Sequence, residues 1–223
     1  MGAAGKTLAG RRIVVSAGPT FEDIDPVRFI GNRSSGKMGF AIAAAAARRG
    51  ADVVLVAGPV ALATPDGVRR LDVRSAEQMH DAVLAQLPAD AYVSAAAVAD
   101  FTPRTVAAGK IKKRDGDEGL TLELVRTRDI LADVAAHARR RPRLVVGFAA
   151  ETGDVEANAR AKLAKKKLDL IAANRVGVEG SGFESDDNAL LVLWSEGQRA
   201  LGPAPKTELA DQLLDLVAER LRG

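Results

Sequence analysis

Gly31-Asn32-Arg33-Ser34-Ser35-Gly36-Lys37-Met38-Gly39 brings glycine, hydroxyl, amide and cationic groups together directly ahead of an alanine-rich helical stretch, Phe40 to Arg49. Ser34 or Ser35 is placed to cap that helix, because a hydroxyl oxygen accepts a bond from the free N–H groups of a first turn. Those N–H groups and the positive end of the helix dipole also suit an anion. Gly36 and Gly39 let the backbone approach a bulky oxyanion such as a triphosphate, and Lys37 adds positive charge. The same residues equally suit a tight loop with a capped helix and no ligand, so this segment alone leaves both readings open.

Two familiar nucleotide motifs fit poorly. Gly31 to Lys37 has the G-x-x-x-x-G-K spacing of a P-loop, but Met38 stands where that motif needs Ser or Thr for magnesium. Its first glycine also falls well past the preceding strand. A dinucleotide-binding turn expects G-x-G-x-x-G after the first strand and an acid near the end of the second. Here the first turn is Ala17-Gly18-Pro19-Thr20, and the second strand ends in Ala57-Gly58-Pro59. A Rossmann-like fold with another ligand remains compatible.

Other chemistries are thinly supplied. There is no cysteine, hence no disulfide, thiol nucleophile or thiolate metal site. The two histidines, His80 and His137, fall in amphipathic helical stretches with polar neighbours, which suits surface or locally satisfied roles. No Ser-His-Asp arrangement or metal-ligand cluster is apparent. What remains is a phosphate loop, strand-end amides and carboxylates, and lysines. That inventory suits phosphoryl or nucleotidyl transfer, where positioning and charge neutralisation carry most of the catalysis.

The elements that must position these residues alternate between strand and helix. Arg12–Ser16, Asp52–Ala57, Val68–Val73, Ala91–Ala97, Arg143–Phe148, Leu168–Ala173 and Asn188–Trp194 read as strands. Helices are expected over Lys37–Arg49 (closed by Gly50), Ser75–Leu87 (with a Ser75/Gln78 capping box), Asp129–Arg140, Val155–Lys167 (capped by Asp154) and Thr207–Leu221. Strands that are apolar throughout predict a Rossmann-like α/β fold, a parallel sheet with helices on both faces. Ligands of such sheets gather at the carboxyl ends of the strands, where Gly18, Gly58 and Asp100 fall. Residues 106–125 break the pattern and read as an inserted hairpin or flap. Its basic run, Lys110-Ile111-Lys112-Lys113, reads as a solvated edge strand.

The chain has 223 residues, 47% of them hydrophobic, enough for one substantial core. The expectation is a leader or linker remnant over 1–10 and a single nucleotide-binding domain over 11–223. No apolar run approaches the roughly 20 residues of a membrane span, and the first residues lack a signal-peptide core, so a cytoplasmic protein without membrane contact is expected. Net charge is +3 and aromatic residues make up only 4%. Arg139-Arg140-Arg141 and Lys165-Lys166-Lys167 therefore read as solvated helix ends rather than as a nucleic-acid surface.

The residues also resemble a known family. Ser16 to Thr20, Asp25-Pro26-Val27-Arg28, Asn32 to Gly39, Ala95 to Asp100, Lys110 to Lys113, Gly147 to Thr152 and Phe183 to Asn188 are similar, in the same order, to phosphopantothenoylcysteine synthetase, the C-terminal half of a bacterial bifunctional coenzyme A biosynthesis protein. The flavin-dependent decarboxylase half of that protein is not in this chain. The resemblance thus implies a fused or separate decarboxylase partner and no flavin here.

The resemblance implies a two-step ligation. The carboxylate of 4′-phosphopantothenate attacks the α-phosphate of CTP, pyrophosphate leaves, and the amine of L-cysteine then displaces CMP from the acyl-cytidylate. It implies that Gly18, Ser34, Ser35, Gly36, Lys37, Met38 and Gly39 line the nucleotide, with Ala96, Asp100, Phe148 and Asn174 beside it. Lys162 and Lys166, one helical turn apart, become further phosphate contacts. Asn32 holds the acyl-cytidylate for attack by cysteine, and Lys110 neutralises charge in the first step. Arg28 reaches phosphopantothenate across a homodimer interface, while Ala96, Ala97 and Asp100 meet the pantothenate or cytidylate. Mg2+ enters with CTP, near Asp100. Lys112 to Gly119 becomes a flap that excludes water from the intermediate, which displaces the edge-strand reading. Asn32, Asp100 and Glu151 also have purely structural readings, and Arg28 has one as a partner of Asp25. A non-catalytic nucleotide-binding module, or a dinucleotide-dependent reductase, stands as the alternative.

Overall fold

The computed structural model describes residues 5–113, 118–151, 153–175 and 187–222. The chain runs through β1 (Arg12–Ala17), a short hairpin of β2 (Phe21–Asp23) and β3 (Phe29–Gly31), α1 (Lys37–Arg48), β4 (Asp52–Ala57), β5 (Val68–Asp72), α2 (Ala76–Ala85) and β6 (Ala91–Ser94). A ribbon of β7 (Phe101–Pro103) and β8 (Leu124–Arg126) follows. The remainder is α3 (Ile130–Ala135), β9 (Leu144–Glu151), α4 (Val155–Lys165), β10 (Leu170–Arg175), β11 (Asp187–Trp194), β12 (Gly197–Pro205) and α5 (Lys206–Arg222).

Eight strands form one sheet in the order β12-β11-β10-β9-β6-β1-β4-β5. From β5 to β10 every pair is parallel, whereas β11 pairs antiparallel with both β10 and β12. The expected parallel sheet is therefore mixed at one edge. For the β11–β12 pair the reason is local, because the two strands are joined by the two-residue turn Ser195-Glu196, and so short a connection permits only an antiparallel return. Alternate residues of β1 feed two cores. Ile13, Val15 and Ala17 pack with α1 and α5, and Val14 packs with α2, α3 and α4. Each buried Val, Leu or Ile contributes about 1.5–3 kcal/mol relative to its exposed form, so this alternation fixes the register of the central strand.

The topology places a crevice. From β1 the chain steps outward to β4 and β5, then returns to the other side of β1 as β6. Strand order reverses between β1 and β6, and the space beyond their carboxyl ends is where open α/β sheets bind ligands. There the strands stay tied together. Ala97 donates its N–H to Gly18 O at 2.9 Å, and Ala99 donates to Thr20 Oγ1 at 3.0 Å.

Several sequence expectations shift. Of the hairpin or flap expected over 106–125, the strand present is β8, Leu124–Arg126, and it pairs with β7 ahead of the insertion. Residues 106–113 and 118–123 form no strand, and the middle of the expected flap, 114–117, lies outside the described residues. So does the Phe183 to Asp186 part of the matched run. Helix α3 stops at Ala135 instead of reaching Arg140, and Arg141 Nε donates to the Ala135 carbonyl at its end. The Ser75/Gln78 capping box and the Asp154 cap are both present. His80 is fully buried within α2, 2.9 Å from Asp133 and 3.1 Å from Asp81, a satisfied histidine. His137 lies beyond the end of α3 rather than inside a helix.

Candidate functional site

Helix α1 begins differently from the sequence expectation. Its N-cap is Gly36, held left-handed at φ 76°, and no side chain caps it. Ser34 Oγ instead accepts the Gly36 N–H at 3.3 Å, inside the loop. The first turn carries no acidic residue, so its positive end faces the crevice without a carboxylate on it. Gly39 explains how close the helix comes. A Cβ there would lie under 3.0 Å from Ala17 Cβ and 3.2 Å from Ala17 Cα, so α1 rests on the end of β1 itself. Gly18 lies beneath this loop, with its Cα 3.5 Å from where a Gly36 Cβ would stand.

Two chambers of about 500 Å³ each open over the carboxyl ends of the strands. The first is lined by the loop from Asn32 to Gly39, by Ala95 to Val98 after β6, by Phe148 to Ala150 of β9, and by Asn174 of β10. It thus gathers Asn32, Ser34, Ser35, Gly36, Lys37, Met38, Gly39, Ala96, Ala97, Phe148 and Asn174 from the sequence expectations. It also contains two residues that were assigned no role from the sequence, Asn188 of β11, the last residue of a matched run, and Lys206. Lys206 is only 7% exposed and opens α5. Two helix N-termini and two lysines, Lys37 and Lys206, therefore meet at one chamber.

The second chamber shares Ala96, Val98 and Phe148 as a common wall and adds Asp100, Arg126, Thr127, Arg128, Asp129 and Lys166. Lys166 Nζ lies 2.8 Å from Asp129 Oδ2. Burial pushes the Asp129 carboxyl up, but the Lys166 ammonium and the Ala132 N–H outweigh it and hold the group below the usual carboxylate range. Thr127 fixes Asp100 in place. Its N–H donates to Asp100 O at 3.0 Å, and its hydroxyl donates to Ala99 O at 2.6 Å. Arg126 to Asp129 went unread in the sequence, because the β7–β8 pairing that carries them here spans the whole insertion.

The remaining expected residues lie elsewhere. Lys162 Nζ donates to Glu151 Oε1 at 2.6 Å and lines neither chamber, whereas Lys166 lines the second. Arg28 Nη1 donates to Asp25 at 2.6 Å and to Ile111 O at 3.2 Å, outside both chambers within this chain. Lys110 is exposed and lines neither. Asn32 Nδ2 donates to Val98 O at 2.8 Å, which ties the loop to the shared wall.

Among the described residues no three His, Asp or Glu side chains sit together as a metal cage. Asp100 and Asp129 are carboxylates lining the second chamber, oxygen donors of the kind a hard divalent ion takes.

A doubly wound α/β domain, with a glycine-lined helix start and two lysines over its switch point, gathers there groups that favour an anion. Residues 8–221 match the DNA/pantothenate metabolism flavoprotein C-terminal domain, and the chain belongs to that family. It is 52% identical over 217 residues to the coenzyme A biosynthesis bifunctional protein CoaBC of Vibrio cholerae, covering 97% of this chain and 54% of that protein. It is 54% identical over 205 residues to CoaBC of Escherichia coli K12, covering 91% and 50%. The chain thus spans about half the length of these relatives. The crystal structure of the C-terminal domain of a CoaBC protein superposes with a TM-score of 0.82 at 38% identity, covering 98% of this chain and 99% of that one.

Proposed function

We propose that this domain joins 4′-phosphopantothenate to L-cysteine at the expense of CTP, giving 4′-phosphopantothenoylcysteine, CMP and pyrophosphate. The observation that carries this reading is the gathering of the expected nucleotide and acyl-cytidylate residues around one chamber at the switch point, beside a second polar chamber. Two chambers with one shared wall suit two substrates that must exchange a bond where they meet. The family membership and the names of the relatives support placing the reaction in coenzyme A biosynthesis.

In the first step a carboxylate oxygen of phosphopantothenate bonds to the α-phosphorus of CTP, and the α–β bridging oxygen leaves with pyrophosphate. The substrate supplies its own nucleophile, so the lack of a cysteine, or of an activated serine, costs nothing. The α1 start, Lys37 and Lys206 favour negative charge in the first chamber, and Lys166 does so in the second. Mg2+, when bound with the nucleotide, supplies charge neutralisation of the leaving phosphates. In the second step the cysteine nitrogen attacks the acyl carbon, CMP departs with the carboxyl-derived oxygen, and the ammonium proton is lost. Asn32, anchored on Val98 O, is placed to orient the acyl-cytidylate for that attack.

The reading includes a homodimer in which Arg28 serves the neighbouring subunit. Val27 and Phe29, 60% and 45% exposed on either side of it, support a covered surface there. The reading also includes a cytoplasmic location; no helix among the described residues is long and apolar enough to cross a membrane. The test is incubation with CTP, Mg2+, 4′-phosphopantothenate and L-cysteine, with products read by mass spectrometry. The amide product and CMP in equal amounts are expected. Bound CTP that is never consumed would leave a nucleotide-binding module instead.

A further inference from the structure

Asp25 stands where two segments with separate roles meet. One is the β2–β3 turn, which carries Arg28. The other is the stretch after β7, which carries Lys110. Asp25 is 1% exposed. Its Oδ1 accepts the N–H groups of Val27 and Arg28, both at 2.8 Å, and closes the turn. Its Oδ2 accepts Arg28 Nη1 at 2.6 Å and the Ile111 N–H at 3.1 Å. Two further bonds cross the same junction, from Ala107 N–H to Ile24 O at 2.9 Å and from Arg28 Nη1 to Ile111 O at 3.2 Å.

The two carboxyl oxygens do different work. Closing a turn of this kind needs one side-chain acceptor, which asparagine supplies as well as aspartate. The second oxygen reaches a residue 86 positions along the chain. Residues 105–113 form no strand or helix, so these bonds dock a stretch that has no ladder of its own. A buried carboxylate is tolerated only when donors surround it, and here donors from both segments do so.

We propose that Asp25 is a positioning residue, which holds the Lys110 stretch in fixed register with Arg28 through the Ile111 N–H. One buried carboxylate then sets both the cation that acts in the first step and the cation that receives phosphopantothenate. This rests on the ligase reading above, in which Lys110 neutralises charge as pyrophosphate leaves. A displacement of about 1 Å in such a group lowers a rate by about 100-fold.

Asp25→Asn separates the two functions. Its remaining oxygen can keep the Val27 and Arg28 N–H bonds, while its amide opposes donors on Ile111 and Arg28. Two measurements test the proposal. Hydrogen exchange on the protein without substrates is expected to speed up over 105–113 by about 10-fold or more, with 21–31 unchanged. Single-turnover pyrophosphate release from CTP and phosphopantothenate is expected to slow about 10- to 100-fold. Measured at saturating phosphopantothenate, where the Arg28 contact no longer limits release, the same substitution in a Lys110→Ala background is expected to slow release by less than about 3-fold, since coupled residues are not additive. Equal slowing in both backgrounds would reduce Asp25 to a structural residue and overturn the proposal, as would unchanged exchange over 105–113. Should the unaltered protein release no pyrophosphate, the ligase reading fails. The exchange comparison then still decides whether Asp25 docks this stretch.

Discussion

Replacing Gly39 with alanine puts one methyl group between α1 and the end of β1. The new Cβ would start under 3.0 Å from Ala17 Cβ, 3.2 Å from Ala17 Cα and 3.4 Å from Ser16 O. Carbon atoms rest at about 3.5–4.0 Å, so the first turn must retreat by roughly 1 Å. Overpacking of this kind costs about 1–3 kcal/mol. Alanine returns about 1 kcal/mol through helix propensity, leaving a net loss of roughly 0–2 kcal/mol. For a domain of this size that lowers Tm by less than about 8 °C. The functional loss should be far larger, because Gly36, Lys37 and Met38 move with the turn and a 1 Å misplacement costs about 100-fold in rate. The assay pairs thermal unfolding with calorimetric titration of CTP and single-turnover pyrophosphate release. Full CTP affinity and an unchanged rate at a lowered Tm would refute the reasoning, since the helix start would then have moved without consequence for the ligand.

Asn32→Ala removes the bond to Val98 O, worth about 0.5–1.5 kcal/mol, and should lower Tm by no more than about 6 °C. Pyrophosphate should still appear in a single turnover while amide product stalls, which rapid-quench product analysis reads directly. Lys166→Ala leaves Asp129 without its ammonium partner in the second chamber, so the KM for the anionic substrate held there should rise by about 10-fold. Steady-state kinetics measures that rise. Asp25 predicts a pH dependence of stability. Burial pushes its carboxyl up, but the N–H groups of Ile111, Val27 and Arg28 and the Arg28 guanidinium outweigh this and hold it at about 2. An unfolded aspartate titrates near about 3.9, so this contribution is fully present above that pH and is lost as pH falls toward 2. Urea unfolding of the unaltered protein and of Asp25→Asn should therefore converge in stability as pH falls through this window.

What could be read from the sequence was what short-range chemistry writes. Gly31 to Gly39 and Ala95 to Asp100 sit at strand and helix ends whose positions follow from local patterning, and they line the crevice beyond the carboxyl ends of the strands. Strands apolar throughout likewise pointed to a sheet covered on both faces, and Val14 and Val15 do face opposite cores. Long-range pairing was harder to see. Strand β12 contains Gly202, Pro203 and Pro205 and few β-branched residues, so nothing in Gly197–Pro205 signals a strand. It forms because it is an edge paired to β11 through a tight turn. Lys206 reaches the first chamber only because β12 ends there. Arg126 to Asp129 reach the second because β8 pairs with β7 across the insertion. The Ser34 and Ser35 capping expectation failed for a different reason. Gly36 takes the cap position in a left-handed conformation, and Ser34 turns inward to the loop.

The central claim is that the domain activates a carboxylate with CTP before any amine is bound. The direct measurement is pyrophosphate release from purified protein with Mg2+ and 4′-phosphopantothenate in a single turnover, with CTP or ATP, without and then with L-cysteine. The account predicts pyrophosphate with CTP in the absence of cysteine, and CMP only after cysteine is added. Pyrophosphate that appears only when cysteine is present, or no release despite bound CTP, would contradict it.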